Sequence, residues 1–166
     1  MKVNNFDALT KEIQKRIDKS LNKEVFKAIQ KVEQQEITET VYDVYEPKVY
    51  VDLPSRKRRR KQGGMEDIRN IQIKGGKAKD GVLEVVNETP PNPDARDADV
   101  VTTNKDLPYL IEYGESYTGS GHYDFPGHPY SSPRPFTENT RLELIQEEQH
   151  LKALKLGLEN NGLNVW

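Results

Sequence analysis

The stretch "GHYDFPGH" places two imidazoles, His122 and His128, near the carboxylate of Asp124, all side chains of the kinds that ligate zinc. Their spacing is not the i,i+4 pair that sets two ligands on one helix face, and the remaining histidine, His150, lies in a separate C-terminal segment. A complete site would need distant ligands that nothing in the sequence identifies, so these are read as loop histidines and no metal is expected. Ser116, Ser120, Ser131 and Ser132 sit in turn-rich sequence and lack the G-x-S-x-G elbow that strains a serine into a nucleophile. Gly63-Gly64 and Gly75-Gly76 lack both the P-loop lysine signature and the G-x-G-x-x-G spacing, which makes them turn devices rather than phosphate cradles. No acidic pair stands in an apolar setting that would raise one carboxyl for acid catalysis, so the chain reads as non-enzymatic and without a cofactor.

The cations carry a stronger signal. "PSRKRRRKQGG" holds six in succession: Arg56, Lys57, Arg58, Arg59, Arg60 and Lys61. The whole chain has a formal charge of −2 and a pI near 6.0, so no global field draws it to DNA or to an anionic membrane, and any cationic function is local. Three readings fit the run: a contact with DNA phosphates driven by counterion release, a targeting tag, or a solvated hairpin tip. A single loop of this kind would bind DNA weakly, whereas the same loop repeated around a ring would line a pore or rim with many charges.

Hydrophobic residues make up 34% of the 166 and charged residues 31%, a lean core for one domain, so an oligomer whose surfaces are completed by neighbours is expected. Cysteine is absent, which removes disulfides and thiolate chemistry and fits a reducing cytoplasm. The start "MKVNNFDALTKEIQKR" lacks a signal-peptide apolar region, and no apolar run approaches the roughly 20 residues of a membrane span. The expectation is a soluble, unexported chain without a membrane partner.

Leu9, Ile13, Ile17, Leu21, Val25, Ile29 and Val32 recur at helical spacing and predict one amphipathic helix over 1–40, with Asp7 as its cap and Phe6 as a staple. From Ile37 the sequence "ITETVYDVYEPKVYVDL" is rich in Val, Thr and Tyr and predicts a strand, with Pro47 at an edge or bend. The region 41–89 is therefore read as a β-sheet region carrying the basic hairpin loop, with further strands in "MEDIRNIQIKGG" and "GVLEVVNET" and turns at Gly75-Gly76 and Asp80-Gly81. Loops and an arm follow over 90–136, interrupted by a helical turn or two in "LPYLIEYGES" between Pro108 and Gly114. The region 137–166 reads as a single helix and tail, capped by Thr137, with Leu142, Ile145, Leu151, Leu154 and Leu158 on one face, a Glu148–Lys152 pair, and Gly162-Leu163 as terminator. The predicted fold class is α+β: a long N-terminal amphipathic helix, a small antiparallel β-sheet with extended loops, and a long C-terminal helix packed on the sheet.

Arg134, Pro135 and Phe136 lead directly into that closing helix, which ends in Gly162-Leu163. Tyr45, Pro47 and Tyr50 form a Tyr-x-Pro-x-x-Tyr pattern, Gly63, Gly64, Met65 and Asp67 a Gly-Gly-apolar-x-Asp pattern, and "IEYG" spans 111–114. In this combination the chain resembles a family of tailed-phage tail-component or neck proteins, with a longer basic turn before Gly63 than that family usually has. The resemblance implies a single neck or tail-completion domain over 1–166 that forms a hexameric or dodecameric ring at the head–tail connector, around the DNA channel. It implies neighbouring connector or head-completion proteins and tail-tube or tail-terminator proteins as partners, non-specific contact with genomic DNA, and no catalytic residues to carry over. Such a protein is made in the host cytoplasm and resides in the virion. Under this reading Arg56 to Lys61 meet DNA or a neighbour, and Arg134, Pro135 and Phe136 anchor the arm or a subunit contact. The alternative is a DNA-binding accessory protein outside the virion that uses the same six cations.

Overall fold

The computed structural model describes residues 6–44, 63–90, 107–114 and 133–164. The N-terminal helix begins with α1 (Phe6–Ser20), widens into a π turn over Leu21–Val25, continues as α2 (Phe26–Glu36) and ends in a second π turn over Ile37–Tyr42. Backbone angles remain helical through both junctions, with Ser20 at φ −67, ψ −40 and Glu36 at φ −60, ψ −39. The strand expected from Ile37 is therefore corrected over Ile37–Tyr42, and the boundary at 40/41 moves to the end of that turn. Ile37 and Val41 stand four apart and are both buried, so helical geometry carries the apolar stripe into the core and overrides the β-branched propensity of "ITETV". The expected strand residues from Tyr45 to Leu53 lie outside the described residues.

Burial along the stripe rises from one end to the other. Phe6, Leu9 and Ile13 are exposed, Ile17 is half-buried, and Leu21, Val25 and Val32 are buried. Phe6 is 80% exposed, so the expected staple is not formed.

A two-stranded antiparallel sheet pairs β1 (Ile71–Ile73) with β2 (Val85–Asn87) in the register Ile71↔Asn87, Ile73↔Val85. A hairpin this short is marginal alone and needs packing against another element. The N-terminal helix supplies it through Gln30, Gln34 and Thr38, which follow one another at i,i+4 on one face. The Gln30 amide donates to the Ile68 and Ile71 carbonyls (3.1 and 2.7 Å), the Gln34 amide to the Glu66 carbonyl (2.7 Å), and the Thr38 hydroxyl to the Glu66 carboxylate (2.8 Å). Between the strands the Asp80-Gly81 turn forms as the sequence predicts, both residues having positive φ (54° and 81°) while Lys79 and Val82 exchange two 3.0 Å backbone hydrogen bonds. The Asn22 side chain accepts from the Ala78 N–H (2.7 Å) and Asp18 from the Gly81 N–H (2.9 Å), which pins this tip onto the helix.

The short helix α3 (Leu107–Tyr113) ends at Gly114, whose φ of 66° is the left-handed stop expected of it. The single closing helix is corrected to two, α4 (Phe136–Glu147) and α5 (Gln149–Asn160), separated by Glu148 in a left-handed conformation (φ 53°, ψ 24°). The expected Glu148–Lys152 pair is absent among the described residues, because the Lys152 ammonium donates to the Glu147 carbonyl (2.7 Å) that the break leaves free. Both helices lie chiefly across the N-terminal helix, α4 on α2 and α5 on the first π turn, while Phe136 and Leu154 reach the hairpin side of the core. The break also divides the apolar face. Phe136, Asn139, Thr140 and Leu144 turn inward on α4, leaving Leu142 and Ile145 exposed there and Leu151 exposed on α5. At the far end the Gly162 N–H bonds to the Glu159 carbonyl and the Leu163 N–H to the Leu158 carbonyl (both 2.9 Å), the terminator read from the sequence.

Where α5 crosses the first π turn, Gly157 lies against buried Ser20, and the Asn161 amide donates to the Ser20 hydroxyl (3.1 Å). A Cβ at position 157 would sit 2.8 Å from the Ser20 Cβ, with no flexible group between to yield. Gly157→Ala gains about 0.5–1 kcal/mol of helix propensity but incurs about 1–3 kcal/mol of overpacking. A net loss of about 1–2 kcal/mol is expected by urea unfolding, and an unchanged or raised midpoint would show that the two helices have room to separate.

Candidate functional site

Arg134, Pro135 and Phe136 stand where the N-terminal helix, the hairpin, α3 and α4 converge. The Arg134 N–H donates to the Ile111 carbonyl (3.0 Å), which ties the arriving chain to α3. Phe136 is 1% exposed and packs in one cluster with Ile37, Val41, Met65, Ile71 and Ile111, with Tyr42 and Val85 at its margin. Pro135 is exposed just ahead of α4, and its carbonyl accepts from the Asn139 N–H (2.9 Å) in the first turn.

The cap of α4 is not Thr137. That hydroxyl lies inside the helix, and the first free N–H groups are met from another element: Glu112 of α3 accepts from the Thr137 N–H (2.8 Å) and the Glu138 N–H (3.2 Å). A carboxylate here also complements the positive end of the helix dipole. Glu112 is buried, and so is Glu33 of α2, a second acid close enough for the two charges to interact. Burial pushes the Glu33 carboxyl up to about 7; a hydrogen bond with the Asn87 side chain opposes this, and the Glu112 charge adds to it. The sequence carried a sign of Glu33, since it lies four residues from both Ile29 and Ile37, inside the apolar stripe.

The residues of the Gly-Gly-apolar-x-Asp pattern build a turn beneath this junction. Met65 is buried in the Phe136 cluster, and Gly63 adopts φ 93°, which favours glycine. Asp67 accepts from the Gly63 N–H (2.6 Å) and the Arg69 N–H (3.0 Å), and its carboxylate is paired with the Arg69 guanidinium. The Arg69 side chain, helped by these two N–H groups against the effect of burial, holds the Asp67 carboxyl well below the usual carboxylate range.

Tyr45, Pro47, Tyr50, the six cations Arg56, Lys57, Arg58, Arg59, Arg60 and Lys61, and His122, Asp124 and His128 lie outside the described residues. Among the described residues no group of three or more His, Asp or Glu side chains could hold a metal ion, and no helix is long and apolar enough to cross a membrane.

No curated protein and no solved structure matches the chain. The YomN family does, over residues 5–160, a span that contains the N-terminal helix, the hairpin and the Arg134–Phe136 junction alike. The chain therefore belongs to the YomN family, a phage-derived family.

Proposed function

We propose that the chain is a structural virion protein of the phage head–tail connector, a neck or tail-completion protein whose copies form a ring around the DNA channel. The observation that carries this reading is the apolar surface left outside the core on both long helical segments. Phe6, Leu9 and Ile13 on α1, Leu142 and Ile145 on α4, and Leu151 and Leu156 on α5 are all exposed. Neighbouring subunits would cover such surface, and a chain this lean in hydrophobic residues gains core by doing so. Membership in a phage-derived family and the resemblance carried by Arg134, Pro135 and Phe136 point the same way. The partners are further copies of the chain, in a hexamer or dodecamer, with connector or head-completion proteins on one side and tail-tube or tail-terminator proteins on the other.

Deleting the coding sequence from the phage is expected to leave heads and tails unjoined, visible by negative stain, and purified particles are expected to contain the protein in fixed ring stoichiometry. Complete infectious tailed particles without the protein would overturn the reading. Its absence from particles, together with DNA binding lost on changing Arg56 to Lys61 to serine, would instead establish the accessory DNA-binding protein.

A further inference from the structure

Lys11, Lys15, Lys19, Lys77 and Lys79 converge on one open cleft of about 420 Å³ between α1 and the pinned hairpin tip. We propose that this cleft is a contact site for the phosphate backbone of double-stranded DNA, separate from the basic run at Arg56 to Lys61 and independent of whether the chain forms a ring.

The first three lysines follow at i,i+4, so they rise along one face of α1 in steps of about 6 Å. Like charges at that spacing repel and weaken the helix. Elsewhere on the surface Arg16, Lys23 and Lys74 each meet a glutamate, but none of the five cleft lysines is ion-paired among the described residues. The one acid lining the cleft, Asp18, accepts from the Gly81 N–H (2.9 Å) and the Gln14 amide (3.0 Å). It fixes the opposite wall in place and neutralises none of the lysines by direct pairing. That wall is further held by the bond from the Ala78 N–H to Asn22 and by Ala78 itself, buried against Leu21 and Val25. The two rows of cations therefore face each other across a distance set by the backbone.

The lining selects among anionic partners. No aromatic or arginine side chain lines the cleft, and its one apolar residue, Ala78, is already buried. A protein partner would find none of the aromatic and apolar anchors that stabilise interface cores, where lysine is depleted. Nucleic-acid interfaces are strongly positive and polar, which matches. Without a stacking platform the bases are not held, so single strands gain no advantage. A duplex offers the higher charge density, about one phosphate charge per 1.7 Å of axis. The contact is sequence-independent and steeply salt-dependent.

The test is anisotropy of a labelled random-sequence duplex titrated with the full chain over a series of KCl concentrations. Each variant is also measured with Arg56 to Lys61 changed to serine, so that the basic run cannot mask a loss. Engagement of all the cleft lysines gives a log K against log salt slope steeper by about 4.5 than that of a chain lacking them. Lys77→Gln with Lys79→Gln is expected to reduce the slope by about 1.8 and weaken binding several-fold. Lys27→Gln with Lys155→Gln removes the same charge from exposed positions outside the cleft and is expected to leave the slope unchanged. Equal effects from the two pairs, or no effect from the cleft pair, would overturn the proposal. Displacement of the duplex by polyglutamate at matched charge would overturn it too, in favour of an acidic protein partner. Failure here leaves the connector reading standing, because that reading is judged on particles.

Discussion

Phe136→Ala lowers the stability of the folded chain by about 3–5 kcal/mol, the range for emptying a buried aromatic site. The ring is 1% exposed and joins residues from the second π turn, the segment before β1, β1 itself and α3. Collapse around the void would require several of these to move together, yet each is independently held: α3 by the Arg134 N–H and the Glu112 cap, the segment before β1 by Gln34 and Thr38. The cavity term therefore remains largely unrelieved, which places the loss in the upper part of the range. Phe136→Leu, which keeps much of the volume, is expected to recover more than half. Urea unfolding of the isolated protein gives both numbers. A loss under about 1 kcal/mol, with ring formation abolished, would mean that the side chain works between subunits instead of inside one.

Raising the pH from 5 to 8 destabilises the wild-type chain, and Glu33→Gln removes most of that dependence. The folded-state carboxyl is at about 7 against an ordinary value of 4.5. Between those values the folded chain keeps a proton that the unfolded chain has released, so unfolding free energy falls as pH rises through the window, and above it the full penalty of a buried charge applies. The penalty is at most about 3 kcal/mol. Glutamine is neutral at every pH and nearly isosteric, so the variant is expected to be more stable than the wild type at pH 8 and to differ little at pH 5. Asp67 has the opposite sign and a different window. Its carboxyl is lowered in the folded state, so its contribution is present above the ordinary value of 3.8 and is lost as pH falls through the lower folded value. Urea midpoints for both proteins at pH 5 and 8 decide the matter, and parallel curves would show that Glu33 is hydrated.

Local chemistry in the sequence located much of the fold. The two long helical segments, α3 with its Gly114 stop, the Asp80-Gly81 turn and the Gly162-Leu163 terminator each depend on residues within a few positions of one another, and each forms where those residues predict it. What could not be read locally was set by burial. "ITETVY" has strand propensity, but Ile37 and Val41 are worth more in the core than their β-branched shapes cost in a helix. Glu148 breaks the closing helix without a glycine, and nothing adjacent to it in sequence announces the change. Thr137 has the chemistry of a cap but not the place, because Glu112 reaches the same N–H groups from a helix that is remote in sequence. The site followed the same division. The Arg134-Pro135-Phe136 junction stood out as a sequence pattern, whereas the cleft lysines looked like ordinary polar-face residues until the hairpin tip brought Lys77 and Lys79 opposite Lys11, Lys15 and Lys19.

The first π turn also constrains how the gene can vary. A π turn holds one residue more than an α turn, and one residue corresponds to about 100° of rotation about the helix axis. Deleting Asn22 or Lys23 would restore an unbroken α-helix and would swing all of α1 around relative to α2, carrying Lys11, Lys15 and Lys19 away from the hairpin tip while Gly157 lost its seat against Ser20. Single-residue length changes in this stretch should therefore be tolerated far less than substitutions at its exposed positions, so that the helix behaves as a gear whose tooth count is fixed.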